Sequence, residues 1–434
     1  MDGNYINDII NISKSCKYYE DLYDIIWKLF ENQDIKNNQK KCNIGLFNIP
    51  CGGFGDIIVC KTFYDYLKKW YPQSNISICT TAPEKFKQLG IESSLVKLYS
   101  KTDNNECLDY DKLTLKKRIK FDCMVIVPII NKVFDIKNFR KCISYSNVFN
   151  TFTMSEYNGE FPPYTFPIGV GDGNLGILLN DFKIKQQTLI KKPYAMVYIQ
   201  PSPEWGIHSK YCFLSYLEMI CKKYNHHKKF QIIIPIWISD EIEYNSQFTS
   251  KIRKIVKPYY KNINIIYPDS YDISLLNDEQ NNTCLTFRSD ILPQQRNIFI
   301  SLMKDSVKDI LVTGDQSITD IISCYGGNTP QKIIWYQIAP WKQGFAYYLH
   351  KELPNKYYKS FHTSCGTLES IDLSVNWKQF FKNYDFRIHG KKRMDSIMIG
   401  INTFKNNQIQ KDLLHIIEHS RYLETAQKKI KLLK

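Results

Sequence analysis

The apolar positions of this chain follow two periods. Near the start, Tyr18, Leu22, Ile25, Ile26 and Leu29 recur at helical spacing, and a polar stretch, QDIKNNQKK (33–41), reads as a loop. The run from Asn43 to Ile49 then predicts a strand, and PCGGFGD (50–56) a turn. Ile57, Cys60, Phe63, Tyr64 and Leu67 fall on one face of a helix that closes near Trp70-Tyr71-Pro72. Further strands are predicted at Ile76 to Thr80 and at Cys123 to Val127. Strand, helix, strand with short connections is the signature of a parallel sheet.

The pattern restarts after a cluster of glycines (Gly169, Gly171, Gly173 and Gly176) and Lys191-Lys192-Pro193. Strands are predicted at Ala195 to Gln200, Gln231 to Pro235, Ile263 to Tyr267, Asp309 to Thr313 and Ile333 to Gln337. Helices are predicted at Phe213 to Tyr224, Asn297 to Lys304 and Ser317 to Cys324, and one or two more across Lys405 to Leu433. The expected fold is α/β: two Rossmann-like domains facing a cleft, with helical extensions at both ends. The boundaries follow as a helical extension over 1–42, a first domain over 43–190, a second over 191–400, and a C-terminal helix over 401–434 that would return to the first domain. Such a pair of sheets places ligands at the carboxyl ends of its parallel strands.

Composition narrows the function classes. With 43% hydrophobic residues the chain is globular rather than disordered, and its longest apolar run, FQIIIPIWI, is too short to span a bilayer. The N-terminus MDGNYINDIINISK lacks the basic-then-apolar order of a signal peptide, which predicts a soluble, cytoplasmic protein. Thirteen scattered cysteines with no C-x-x-C pair fit reduced thiols rather than a disulfide framework or a zinc ribbon. A net charge of +15 raises nucleic acid as a partner, but the lysines are spread along the chain without a recognition motif. A basic site for a phosphorylated small molecule uses the same charge.

Four segments carry candidate chemistry. In PCGGFGD, Gly52, Gly53, Phe54 and Gly55 form a loop between strand and helix where backbone can approach a ligand closely. Ile58 and Cys79-Thr80-Thr81-Ala82 stand where a dinucleotide fingerprint needs a glycine and an acid, so an NAD or FAD site is not expected. Asp56 is either an N-terminal cap or a general base facing the cleft. The second segment is Thr313-Gly314-Asp315-Gln316-Ser317. Ser317 and Asp320 have the spacing of a capping box, and the N–H groups of Gln316, Ser317 and Ile318 offer a diphosphate site, while Asp315 would repel phosphate and bind a hydroxyl or hold the loop. Third, His208 and Lys210 lie at the end of the irregular stretch QPSPEWGIHSK (200–210) and supply cationic groups for phosphate. Fourth, Trp335, Tyr336 and Gln337 precede Pro340-Trp341, and the aromatics among them are candidates to stack on a base.

Two metal-like patterns are set aside. His415-Ile416-Ile417-Glu418-His419 matches a zinc-peptidase pattern but reads as a helix face with two histidines one turn apart. Asp109-Tyr110-Asp111 resembles a metal-holding D-x-D but sits in a polar, lysine-rich stretch. No metal ligand set is expected.

In this order the segments resemble GT-B glycosyltransferases. GGFGDIIVCKTFYDYLKKWYPQSNISI is similar to the opening of bacterial heptosyltransferases, and HSKYCFLSYLEMI to the lysine-bearing start of their second domain. The Asp-Gln-Ser after a strand resembles the nucleotide-diphosphate loop of that group and of arginine rhamnosyltransferases, though Gln316-Ser317 replaces the usual Thr-Gly. TGDQSITDIISC and WYQIAPWKQGF also resemble glycosyltransferase-like proteins of large DNA viruses. The resemblance implies an inverting, metal-independent transfer from a nucleotide sugar to a hydroxyl or other nucleophilic acceptor, with Asp56 as base and no cofactor beyond the donor. A non-catalytic nucleotide or nucleotide-sugar binding protein of the same fold, and a basic nucleic-acid-binding protein, are the competing readings.

Overall fold

The computed structural model describes residues 41–50, 54–100, 113–114, 120–129, 151–159, 165–181, 189–201, 206–269, 271–325, 332–337, 343–352, 358–372 and 382–406. The N-terminal helical extension, Asp109-x-Asp111, His415 and His419 lie outside them. The chain divides into two compact units, 1–178 with 384–434 and 179–383. The sequence suggests boundaries at 42/43, 190/191 and 400/401, with the last segment returning to the first domain. The chain leaves the first unit at 178/179 and re-enters it at 383/384.

In unit 1 a six-stranded parallel sheet runs in the order β3-β2-β1-β6-β7-β8 among the described residues. Its strands are β1 (Asn43–Asn48), β2 (Asn75–Thr80), β3 (Leu95–Lys97), β6 (Cys123–Ile129), β7 (Thr151–Ser155) and β8 (Thr165–Phe166). β4 (Tyr99–Ser100) and β5 (Leu113–Thr114) make a separate antiparallel pair. The strands are apolar nearly throughout because both faces of a parallel sheet are covered. Helix α1 (Gly55–Trp70) carries Asp56 in its first turn and Lys68 and Lys69 in its last, as the helix dipole favours. It buries Ile57, Cys60, Phe63 and Leu67, each worth about 1.5–3 kcal/mol for the larger apolar side chains. A short α2 (Pro83–Gln88) follows β2.

Unit 2 has a nine-stranded sheet in the order β12-β11-β13-β10-β9-β14-β15-β17-β16 among the described residues. Six central strands are parallel: β9 (Tyr194–Tyr198), β10 (Lys229–Ile233), β11 (Asn262–Ile266), β13 (Cys284–Arg288), β14 (Asp309–Thr313) and β15 (Ile333–Gln337). Antiparallel strands flank them: β12 (Asp272–Leu276) on one edge, β16 (Tyr358–Thr363) and β17 (Gly366–Asp372) on the other. The helices are α3 (Gly206–Tyr224), α4 (Ile236–Tyr244), α5 (Ser246–Val256), α6 (Arg296–Asp305), α7 (Asp315–Tyr325) and α8 (Gln343–Glu352). One core cluster joins Phe213, Tyr216, Leu217 and Ile220 of α3 to Phe230, Phe287, Leu311 and Trp335 of the sheet.

After unit 2, α9 (Phe386–Asn406) belongs to unit 1. Phe386 packs among Phe63, Tyr66, Trp70 and Phe166, and Tyr71 Oη donates to Asp395 at 2.6 Å. No helix among the described residues is long and apolar enough to cross a membrane. The architecture is thus α/β, with a Rossmann-like parallel sheet in each unit.

Candidate functional site

Each sheet has a point where successive strands depart to opposite sides. Among the described residues it lies between β1 and β6 in unit 1, and between β9 and β14 in unit 2. Such switch points open a crevice at the carboxyl ends of the strands, where ligands of open α/β sheets bind.

At the unit 1 switch point, Asn48 ends β1 fully buried. Its amide nitrogen donates to Val127 O of β6 at 2.8 Å and to Asp56 O in the first turn of α1 at 3.2 Å. One amide therefore fixes the helix start against the neighbouring strand. The N-cap of α1 is Phe54, which makes no side-chain capping bond, and Ile58 N donates to Phe54 O at 2.9 Å. Asp56 sits two residues inside the cap, so the capping role open to it in the sequence is not the one it fills. Its side chain is half-buried. Phe54 is 41% exposed beside it, with Lys85 Nζ 5.9 Å from the ring centre. Gly52 and Gly53 lie outside the described residues.

At the unit 2 switch point the ends of β9, β14 and β15 are cross-tied. Gln337 Nε2 donates to Ser209 Oγ at 2.8 Å, and Gln337 Oε1 accepts from Gln200 N at 3.2 Å. Ser209 Oγ in turn donates to Gln200 O at 2.9 Å, linking α3 to β9. Gly314, with φ +83°, turns the chain from β14 into α7. Its carbonyl accepts Ile318 N at 3.3 Å, so Gly314 is the N-cap and the helix begins at Asp315. Two expectations change accordingly. Ser317 is the third helical residue and not a cap, and Ile318 N–H is spent inside the helix. By helix geometry, the groups left to a ligand belong to the first three residues.

Asp315 is 3% exposed and accepts Tyr336 Oη at 2.8 Å. Asp320 is the partner of Arg296, which reaches it at 2.6 and 3.1 Å, and of Gln316 Nε2 at 2.7 Å. Asn180 Nδ2 adds a fourth contact at 3.2 Å. The structure thus brings Gly314, Asp315, Gln316, Ser317, Tyr336 and Gln337 to one edge of unit 2.

Trp335 is a correction. In a strand, side chains alternate between faces, and Trp335 shares the core face with Ile333. Its indole N–H donates to the buried Asp309 at 2.9 Å, so it is not placed to stack on a ligand base. Lys210 is in the first turns of α3 and pairs with Glu241 at 2.7 Å, so a phosphate there competes with a carboxylate. The His208 side chain is outside the described residues. The first turn of α3 carries no acid, in contrast to that of α7. Sequence reasoning missed Asn48, Ser209, Gln200 and Arg296, of which only Asn48, a polar residue closing an apolar strand, leaves a visible signal. Among the described residues no group of three or more His, Cys, Asp or Glu side chains is arranged to hold a metal.

No protein-family model matches the chain. No curated protein matches it either. Among solved structures it is similar to a glycosyl transferase family 9 protein from Veillonella parvula DSM 2008, at 12% identity and a TM-score of 0.30, over 66% of this chain and 79% of that one. It is also similar to a trehalose-6-phosphate synthase, at 11% identity and a TM-score of 0.25, over 83% of this chain and 78% of the other.

Proposed function

We propose that the chain is a glycosyltransferase that moves a sugar from a nucleotide-activated donor to a hydroxyl acceptor. The observation that carries the reading is the pair of Gly-Asp junctions, Gly55-Asp56 and Gly314-Asp315, each at the switch point of a parallel sheet. One presents a half-buried carboxylate and the other a buried one that accepts Tyr336 Oη. In this reading unit 2 binds the donor and Asp56 is the catalytic base.

The step is a single displacement. The acceptor oxygen attacks the anomeric carbon, its proton passes to Asp56, and the bond from that carbon to the diphosphate oxygen breaks. The nucleoside diphosphate leaves, and the configuration inverts. Charge growing on the diphosphate is met by the backbone N–H groups of the acid-free first turn of α3, with Lys210 assisting once released from Glu241. No metal is needed for this charge balance.

A thermal-shift screen of nucleotide sugars and nucleoside diphosphates tests the reading. A ligand at about a hundred times its dissociation constant adds roughly 2.7 kcal/mol of stability. Binding followed by release of the nucleoside diphosphate in the presence of an acceptor supports a transferase. Binding without turnover under any acceptor supply points instead to a nucleotide-sugar binding protein. Affinity for generic nucleic acid that falls steeply with log salt, and none for nucleotide sugars, rejects both.

A further inference from the structure

We propose that Gln316 is a specificity-determining residue whose amide oxygen takes a hydrogen bond from a sugar-ring hydroxyl of the ligand. The first turn of α7 then reads hydroxyls rather than phosphate oxygens. The inference rests on the reading of unit 2 as a nucleotide-sugar site.

A helix N-terminus ordinarily invites an anion. This one is built against it. Asp315, the first helical residue, brings a buried carboxylate to the turn. Gln316 follows, itself 8% exposed. Its Nε2 is held by Asp320 Oδ1 at 2.7 Å. Arg296 grips both oxygens of that carboxylate, and Asn180 donates to it as well. A carboxylate paired in this way only accepts, so the glutamine amide cannot flip: the nitrogen must face Asp320. Oε1, on the other arm of the planar amide, then faces away from Asp320. It is buried and has no hydrogen-bond partner among the described residues.

A buried carbonyl without a donor is costly, and it calls for an N–H or O–H group from outside. The doubly esterified diphosphate of a nucleotide sugar carries no proton at neutral pH, and its oxygens only accept. Sugar hydroxyls donate, and a ring bearing several of them satisfies Gln316 Oε1 and approaches the Asp315 carboxylate together. The diphosphate is left to the acid-free first turn of α3.

Isothermal titration of the full chain tests this with uridine, adenosine and guanosine diphosphate glucose, and with inorganic pyrophosphate. For the sugar that binds, deoxyfluoro analogues at each glucose position and 2′- and 3′-deoxyribose analogues remove one donor at a time. They also tell the transferred sugar from the ribose. On the wild type, one analogue should lose about tenfold in affinity. On Q316M the parent ligand should lose about tenfold, the same analogue should bind no worse than the parent, and pyrophosphate should be unaffected. Losses that multiply show that Oε1 meets no ligand hydroxyl, being satisfied by an internal water or idle, and overturn the proposal. Equal weakening of pyrophosphate assigns the turn to phosphate and also overturns it. If the sugar nucleotide binds but Q316M is indifferent, this inference alone falls. If no diphosphate sugar binds the wild type, the nucleotide-sugar reading falls and this one with it. Q316A replaces Q316M should the latter lower the melting temperature.

Discussion

Gly55-Asp56 and Gly314-Asp315 are the same dipeptide at the same kind of junction, a parallel strand passing into a helix. Their surroundings make them different groups. Gly55 is already inside the helix behind an uncapped Phe54, and Asp56 keeps part of its surface. Gly314 is itself the cap in a left-handed conformation, and Asp315 is driven inward onto Tyr336. A one-residue shift of the helix start leaves one carboxylate partly exposed and buries the other against Tyr336. Motif identity therefore says where to look, and cap geometry says what the acid is free to do.

The strongest way to break this contrast is to neutralise the partly exposed acid. Asp56→Asn should leave nucleotide-sugar affinity nearly unchanged and lower the transfer rate by about 10²–10⁴-fold, the range of a positioned base. Because Phe54 and not Asp56 occupies the cap, no capping bond is lost, and the loss of charge from the first turn should cost only about 0.3–1 kcal/mol. Product formation at saturating donor measures it. A variant that turns over at the parental rate removes Asp56 from the mechanism.

Support behind the second junction comes next. Arg296 and Asp320 are 18% and 6% exposed in their side chains and hold Gln316 from below. Arg296→Met strands a buried carboxylate with amide donors alone and should cost about 3 kcal/mol in denaturant unfolding. A loss within a few tenths of a kcal/mol would mean the α7 start is held by Tyr336 and Gly314 instead.

What the sequence made legible follows the same physics. β14 and β15 could be read to the residue, because DILVT and IIWYQ are apolar runs buried on both faces between clear breakers. β7, TFTMS, was not legible: its threonines are buried and its polarity resembles a loop. The β16–β17 hairpin is held by cross-strand pairing that no local periodicity announces. At the site, both Gly-Asp junctions stood out, but Ser317 was mistaken for a cap because a glycine with positive φ caps α7 three residues earlier. Trp335 drew a ligand role from its chemistry, whereas the two-residue strand period assigns it to the core face. Arg296 reaches Asp320 across helices, a tertiary contact invisible to spacing.

The amino end of β15, opposite the Gly314 junction within unit 2, offers a control. Lys332 precedes β15, 2% exposed, and donates to Ser306 O at 2.5 Å and Val307 O at 3.1 Å. Burial pulls its ammonium down to about 7 from 10.5, with Asp305 and Asp309 opposing. The unfolded chain therefore binds the extra proton between those values, and stability should rise with pH as the folded group loses its proton. From pH 7 to about 8.5, below the ordinary cysteine and tyrosine range, the gain should be about 1 kcal/mol per pH unit relative to Lys332→Met. Denaturant titrations across that window check the slope. Parallel curves for the two proteins would place the amine in a wetter setting than its contacts suggest.

The smallest effects return to the two glycines and separate cap geometry from ligand access. Gly314 holds φ +83°, where a Cβ is disfavoured although the space around it is open, the nearest atom being Ser317 Oγ at 4.0 Å. Gly314→Ala should therefore cost about 1–2 kcal/mol through backbone strain alone. Gly55 has no such φ and nothing within 4 Å of an added Cβ. Gly55→Ala, by narrowing the unfolded ensemble, should stabilise unit 1 by about 0.4–1 kcal/mol. The opposite signs, read from paired thermal melts, test the assignment of the two caps. Activity then adds a second axis. If acceptor passes close to the backbone beside Asp56, the stabilised Gly55→Ala protein should have a raised acceptor KM with donor affinity unchanged. If Gly55→Ala instead melts lower, the first junction also needs a left-handed glycine, and the structural distinction between the two carboxylates disappears.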